Sequence, residues 1–240
     1  MSDQQQGPPP SPGPPVDLAP VLAEGLSRAL RVQLRTELAA DDGYPPGAQD
    51  YFAQFSLGYE LESGQRLWDP EAAAVLELAD QMGLPAQDGG SVTFPIGYAE
   101  ALVVDFVNGS FDALDARGTD EARLGADLFY GGHDGDGLQS ELEAFDEHAV
   151  LLKFATIEPR FRGHGLSLTA LGLMLDELSR GCICVLLDPM LPGTTGNEAR
   201  ASARAGLARH WARLGFVDYG DDGLMLLDLG LERPPLVRSN

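Results

Sequence analysis

Lysine, cysteine and long apolar runs are what this chain lacks. Lys153 is its only lysine, and every other basic residue is arginine, which reads as codon bias rather than chemistry. The two cysteines, Cys182 and Cys184, fall on one expected strand. Alternate strand residues share a face, and a disulfide between them would be strained. A structural zinc ion takes about four ligands, and no histidine or cysteine stands near enough in sequence to complete a set. No metal is expected, and the thiols read as small core residues of a reducing compartment. Apolar stretches such as Ala149 to Ala155 are far shorter than the roughly 20 residues of a membrane-crossing helix. The start is polar and proline-rich, with no charged-then-apolar leader. These absences predict a cytoplasmic protein without a membrane partner.

Positive charge is scarce as a whole. The 37 acidic residues outnumber the 16 basic ones, for a net charge of -21 over 240 residues. Such a field repels phosphate backbones, so nucleic acid is not an expected partner, and it attracts a cationic substrate. An acidic surface that only maintains solubility accounts for the same charge. The 44% of apolar residues is enough for a core, and the length suits one ordinary domain or two small ones.

Met1 to Pro15 is a proline-rich tail with too little apolar surface to pack, which leaves 16–240 as a single expected domain. Val16 to Asp41 begins like a helix, while Leu30 to Thr36 alternates like a strand, and the pattern does not decide between them. Tyr51 to Glu62 reads as a strand. Asp69-Pro70-Glu71 opens a helix to Met82, with Gly83 as its stop. Ala99 to Val107 reads as a strand and Phe111 to Phe129 as a helix. Gly131 to Gly137 holds two aspartates, but the EF-hand spacing fails at Leu138, so this stretch reads as a surface loop.

The last third is the most regular. Ala149 to Ile157 is an expected strand, Pro159 to Gly165 a turn, Leu166 to Arg180 a helix ended by Gly181. Cys182 to Leu187 is a strand, Ser202 to Leu214 a helix ended by Gly215, and Leu224 to Leu229 a strand. This alternation predicts an α/β fold around a mixed sheet.

The chemistry is concentrated in Ile157-Glu158-Pro159-Arg160-Phe161-Arg162-Gly163-His164-Gly165-Leu166, between a strand and a helix. A helix start gathers free backbone N–H groups and the positive end of the dipole, and an anion belongs there. Gly163 and Gly165 let the backbone approach a ligand closely. Arg160 and Arg162 add donors suited to phosphate. The nucleotide P-loop would need Gly-Lys-Ser/Thr, and the dinucleotide fingerprint a third glycine where Leu168 stands; both fail.

The spacing Arg160-x-x-Gly163-x-Gly165, after a strand and before a helix, resembles the acyl-CoA pyrophosphate loop of the GNAT N-acetyltransferase superfamily. The later segment His210-Trp211-Ala212-Arg213-Leu214-Gly215-Phe216 resembles that superfamily's "aromatic, two residues, Leu-Gly-Phe" run. The similarity covers about Ala149 to Leu229, the coenzyme-binding half, and the first 145 residues show no specific likeness. Gly181-Cys182 to Pro189 also resembles the "Gly-Cys … Pro" strand of an uncharacterised bacterial acetyltransferase-like group. The resemblance implies a GNAT-like, largely antiparallel sheet flanked by helices. It implies acetyl-CoA as cosubstrate and transfer of acetyl to a small-molecule or peptide amine, without a metal. Arg160, Phe161, Arg162, Gly163, His164, Gly165 and Leu166 would bind the pyrophosphate. Phe154, Ala155, Thr156 and Ile157 would pair with the pantetheine arm, and Trp211 would border the thioester.

The chain departs from the pattern in three places. Trp211 stands where the superfamily often has an acidic tyrosine, and Arg204 where it often has asparagine. Leu191 to Ala201 is longer than usual. Glu158, next to the glycine turn, and Asp105, within an apolar strand, are the candidate bases; an exposed strand-end carboxylate and a buried structural aspartate are the plain alternatives. A module that holds acyl-CoA without turning it over is the alternative to an enzyme.

Overall fold

A computed structural model describes residues 30–36, 47–60, 70–85, 91–105, 111–115, 118–130, 138, 148–189, 197–220 and 223–229. The proline-rich tail, residues 16–29 and the loop Gly131 to Gly137 lie outside them. The described residues divide between two units. One falls within Gly58–Phe94, the other within Leu30–Leu57 and Pro95–Asn240.

In the smaller unit, helix α1 spans Pro70–Gln81. It starts on a proline, whose missing N–H costs a helix nothing at its first position. It ends at Gly83, whose φ of 64° only glycine adopts cheaply. Val75, Leu78 and Ala79 form its buried stripe.

The strands are β1 (Leu30–Thr36), β2 (Ala48–Glu60), β3 (Ser91–Asp105), β4 (His148–Ile157), β5 (Cys182–Leu187), β6 (Val217–Tyr219) and β7 (Leu224–Asp228). They make one seven-stranded sheet in the order β1-β2-β3-β4-β5-β7-β6. The β4–β5 pair is parallel, while β1–β2, β3–β4, β5–β7 and β6–β7 are antiparallel. The architecture is thus mixed α/β, as the alternation of elements implied, with a mostly antiparallel sheet and flanking helices, as the resemblance implied. Leu30 to Thr36, ambiguous in sequence, is a strand because its pairing with β2 satisfies its backbone. β3 begins well before the expected Ala99: the stretch from Ser91 alternates buried and open positions.

The expected helix over Phe111 to Phe129 is two helices, α2 (Phe111–Asp115) and α3 (Thr119–Tyr130). Gly118 ends the continuity and takes the cap position, its carbonyl accepting the Ala122 N–H at 2.9 Å. Leu114, Leu124 and Leu128 of these helices pack on Leu102 and Val104 of β3 and Ala149 and Leu151 of β4. This is one face of the sheet. Helix α4 (Leu166–Leu178) buries Leu168, Leu171, Met174 and Leu175 and packs against β1 and β4. Helix α5 spans Asn197–Trp211, and a 3-10 turn continues it through Leu214.

Cys182 and Cys184 are free and buried. Burial, with the neighbouring Cys182 and Asp228, pushes the Cys184 thiol far up, so it stays protonated and inert. Among the described residues no helix is long and apolar enough to cross a membrane.

Candidate functional site

β4 does two things at its far end. First, its register against β3 slips by one residue: Ala101 faces Leu152 while Glu100 faces Phe154, so Lys153 is extra. Such a bulge reverses which residues face which side. Phe154 and Thr156 therefore return to the face of Leu151, and Ala155 and Ile157 take the other. Second, β4 outruns its parallel neighbour. Pairing with β5 stops at Leu152↔Leu187, while pairing with β3 continues to Ile157. On the β5 side, the backbone from Lys153 onward has no strand partner among the described residues.

Beyond β4 the chain turns. Glu158 donates its N–H to the Ile96 carbonyl at 2.8 Å, and Pro159–Phe161 make a 3-10 turn that buries Phe161. The Arg162 Nε donates to the Ile157 carbonyl at 2.8 Å, closing the loop on itself. Gly163 and Gly165 then take φ of 87° and 77°, and a Cβ at either would meet no atom within 4 Å. Packing does not demand glycine here; the left-handed backbone does, and the space above it is open. Gly165 caps α4 with no side-chain hydrogen bond, and its carbonyl accepts the Leu168 and Thr169 N–H groups, which leaves those of Leu166 and Ser167 without a side-chain cap.

A cavity of about 370 Å³ lies over this turn. Of the expected coenzyme residues, Ala155, Thr156, Ile157, Phe161, Arg162, Gly163, Gly165, Leu166 and Trp211 line it. A second cavity of about 240 Å³ opens where β4 and β5 part, and Phe154, Ala155, Thr156 and Trp211 line it. Trp211 is a wall of both. It is also core: it is buried, with edge contacts to Phe216 at 6.1 Å and His210 at 5.3 Å.

The other expected residues stand apart from these walls. Arg160 and His164 are exposed on the turn and line neither cavity. Glu158 is exposed at the start of the 3-10 turn and lines neither. Asp105 is at the opposite end of β3, where it faces His148, whereas Gly97 faces Ile157 at the glycine turn. That run of strand is roughly 27 Å at about 3.4 Å per residue. The antiparallel register, invisible in the one-dimensional pattern, separates Asp105 from the site.

Residues other than Trp211 enter the walls without having been singled out, Leu207 and His210 among them. Leu207, His210 and Trp211 share one face of α5 and line the larger cavity; their spacing of three and four was the available signal. The Ser167 hydroxyl lies 3.1 Å from His210 Nε2. Burial, and then the nearby Arg213 charge, hold the His210 imidazole below its ordinary pKa. Neutral at physiological pH, Nε2 donates or accepts this hydrogen bond according to the tautomer. Asp188, at the end of β5, borders the smaller cavity. It is held by Arg123 of α3 and by Arg204 of α5, the latter at 3.3 Å. Lys153, the bulge residue, meets Glu121 of α3 at 2.6 Å.

No protein-family pattern matches this chain, and no curated protein matches it in sequence. Two of the solved structures similar to it are complexes. One is the crystal structure of the KacTA–DNA complex, 12% identical with a TM-score of 0.33, covering 82% of this chain and 93% of that one. The other is AtaT complexed with acetyl-methionyl-tRNAfMet, 13% identical with a TM-score of 0.31, covering 82% and 95%. At these values the likeness assigns neither activity nor substrate. Both are structures of nucleic-acid complexes, and the expectation that nucleic acid is not a partner, drawn from the acidic composition, is withdrawn. The physical flaw in that exclusion is that net charge sums the whole surface. The field at one patch is set by charges within about 10 Å.

Proposed function

We propose that the protein is an acetyl-CoA-dependent N-acetyltransferase. The observation that carries the reading is the continuity of the two cavities along β4. The glycine turn and the uncapped start of α4 offer N–H groups and a positive dipole end to a pyrophosphate. From there Ala155 and Thr156 form a shared wall leading to the smaller cavity, where the backbone of β4 has no strand partner among the described residues. An extended pantetheine arm would pair with that edge as a missing strand. Arg162 would add donors beyond the one its Nε uses.

The thioester would then lie in the smaller cavity, beside Trp211. The amine nitrogen attacks the carbonyl carbon, the carbon–sulfur bond breaks, and sulfur leaves as thiolate with the bonding pair. The proton shed by nitrogen passes to water. Trp211 can donate a hydrogen bond but no proton at neutral pH, so this protein works without the acid that a tyrosine would supply. A thiolate whose conjugate pKa is near 8.5 leaves without such help.

Calorimetry with acetyl-CoA tests the reading. We expect about micromolar affinity and its complete loss in Gly163→Glu, which fills the open turn and adds negative charge. A folded wild-type protein giving no heat would refute it. The Trp211 substitution also favours a second reading, an acyl-CoA-holding module without turnover. Thiol release over a panel of amines separates the two: binding without release at any amine identifies the module.

A further inference from the structure

Phe52 of β2, Tyr98 of β3 and Phe154 of β4 form a row of rings across three neighbouring strands. Phe52 and Tyr98 stack with centroids 5.6 Å apart and planes at 27°. Tyr98 and Phe154 follow at 5.4 Å and 44°. The row is open to solvent, Phe52 being 36% and Tyr98 39% exposed. Contiguous aromatic surface left open in this way marks a place that something covers.

Its position says what. The bulge at Lys153 places Phe154 on the face of Leu102 and Leu151, opposite the face that Ala155 and Ile157 give to the larger cavity. Phe154 is also a wall of the smaller cavity. The row therefore leads from solvent to the gap between β4 and β5, from the side away from the glycine turn. Glu100 faces Phe154 across the β3–β4 pair and, two positions from Tyr98, lies on the same side as the rings. Among the described residues its carboxylate has no partner. Asp50 and Glu121 nearby are already engaged with Lys153.

We propose that this row is the acceptor-binding surface and that the acceptor is a planar, ring-bearing primary amine. Its ring would stack on Tyr98 and its ammonium would be held by Glu100. The proposal rests on the acetyltransferase reading for the word acceptor, but the ring-amine site stands on its own geometry. Ring faces take another flat ring in offset stacking. A cation over Tyr98 or Phe154 gains from the same electron density. The free carboxylate of Glu100 supplies the opposite charge, and the second cavity beside Phe154 is where an acyl carbon would be reached.

The test is titration of the full-length protein, without coenzyme, by ligand-observed NMR with three probes. These are 2-phenylethylamine, the ring-free hexylamine, and the uncharged 2-phenylethanol. Wild type is expected to prefer 2-phenylethylamine over both. Tyr98→Leu, which keeps apolar bulk but loses the ring face, should weaken it by about two- to tenfold and leave hexylamine unchanged, while Tyr98→Phe keeps the preference. Glu100→Gln should weaken both amines and spare the alcohol. Equal binding of the two amines by wild type, or equal losses for both in Tyr98→Leu, overturns the proposal. So does a single-stranded oligonucleotide that binds in a Tyr98-dependent way while the amine does not. Acetyl-CoA affinity is measured separately. Its absence beside a normal ring-amine response defeats the coenzyme reading alone, and the reverse pattern defeats this one alone.

Discussion

His210 lies 3.1 Å from the Ser167 hydroxyl, and its half-burial, with the Arg213 charge nearby, holds the imidazole below its ordinary pKa. The consequence for stability has a definite sign. The folded value lies below the ordinary 6.5, so in the interval between them the unfolded chain binds more protons. The contribution is fully present above about 6.5 and is lost as pH falls through the folded value. Urea melts of wild type and His210→Gln across that range should show a slope in the wild type that the variant lacks; parallel curves would mean that the imidazole is not held neutral. Trp211 is a different case, because it is both core and cavity wall. Trp211→Ala should cost about 3–5 kcal/mol by leaving a void. Trp211→Tyr keeps most of the packing and places a hydroxyl at the shared wall. At saturating acetyl-CoA, from about pH 6 to 10, that variant should show an altered rate profile on the alkaline side, where a phenol titrates. A flat profile with a lower melting temperature would reduce Trp211 to packing.

Helix α3 ties together the two strands that diverge. Its Glu121 meets Lys153 at the bulge of β4, and its Arg123 meets Asp188 at the end of β5. Arg204 of α5 grips the same aspartate. One carboxylate thus anchors two helices at the mouth of the gap, and Arg204 serves this anchor. Asp188→Asn would remove the negative charge that Arg123 and Arg204 both contact. Complete loss of a buried pair costs about 3–5 kcal/mol. Here the arginine side chains are 39% and 31% exposed, and water relieves part of it. We expect a destabilisation of about 2 kcal/mol by denaturant melts and a wider, weaker coenzyme site. Unchanged stability together with unchanged affinity would show that the clamp is ornamental.

At the scale of the molecule, the net charge of -21 is the dominant long-range feature. Where acidic groups stand within about 10 Å of the site, they raise the local concentration of cations there and speed their encounter. For a cationic amine, kcat/KM should fall as salt rises, since the Debye length shrinks from about 10 Å at 0.1 M to 3 Å at 1 M. A neutral amine analogue should show no such fall. Equal salt dependence for the two would confine the acidic surface to solubility.

Much of this was legible in the sequence. The glycine pair between a strand and an amphipathic helix located the turn, because left-handed φ is a local property. The run from Ala149 to Leu229 resolved into its elements for the same reason: periodicity and caps act over a few residues. The break between α2 and α3 was missed although Gly118-Thr119 carried it, since a short apolar run hides a cap. Strand order, register and the one-residue bulge were decided only by the fold. They put Asp105 at the wrong end of β3, brought Asp188, Lys153 and two arginines to the gap, and lined up Phe52, Tyr98 and Phe154 from three distant segments. Pairing partners are chosen by the burial of whole faces, and a one-residue slip reverses every side chain beyond it. No reading of one strand at a time contains that information.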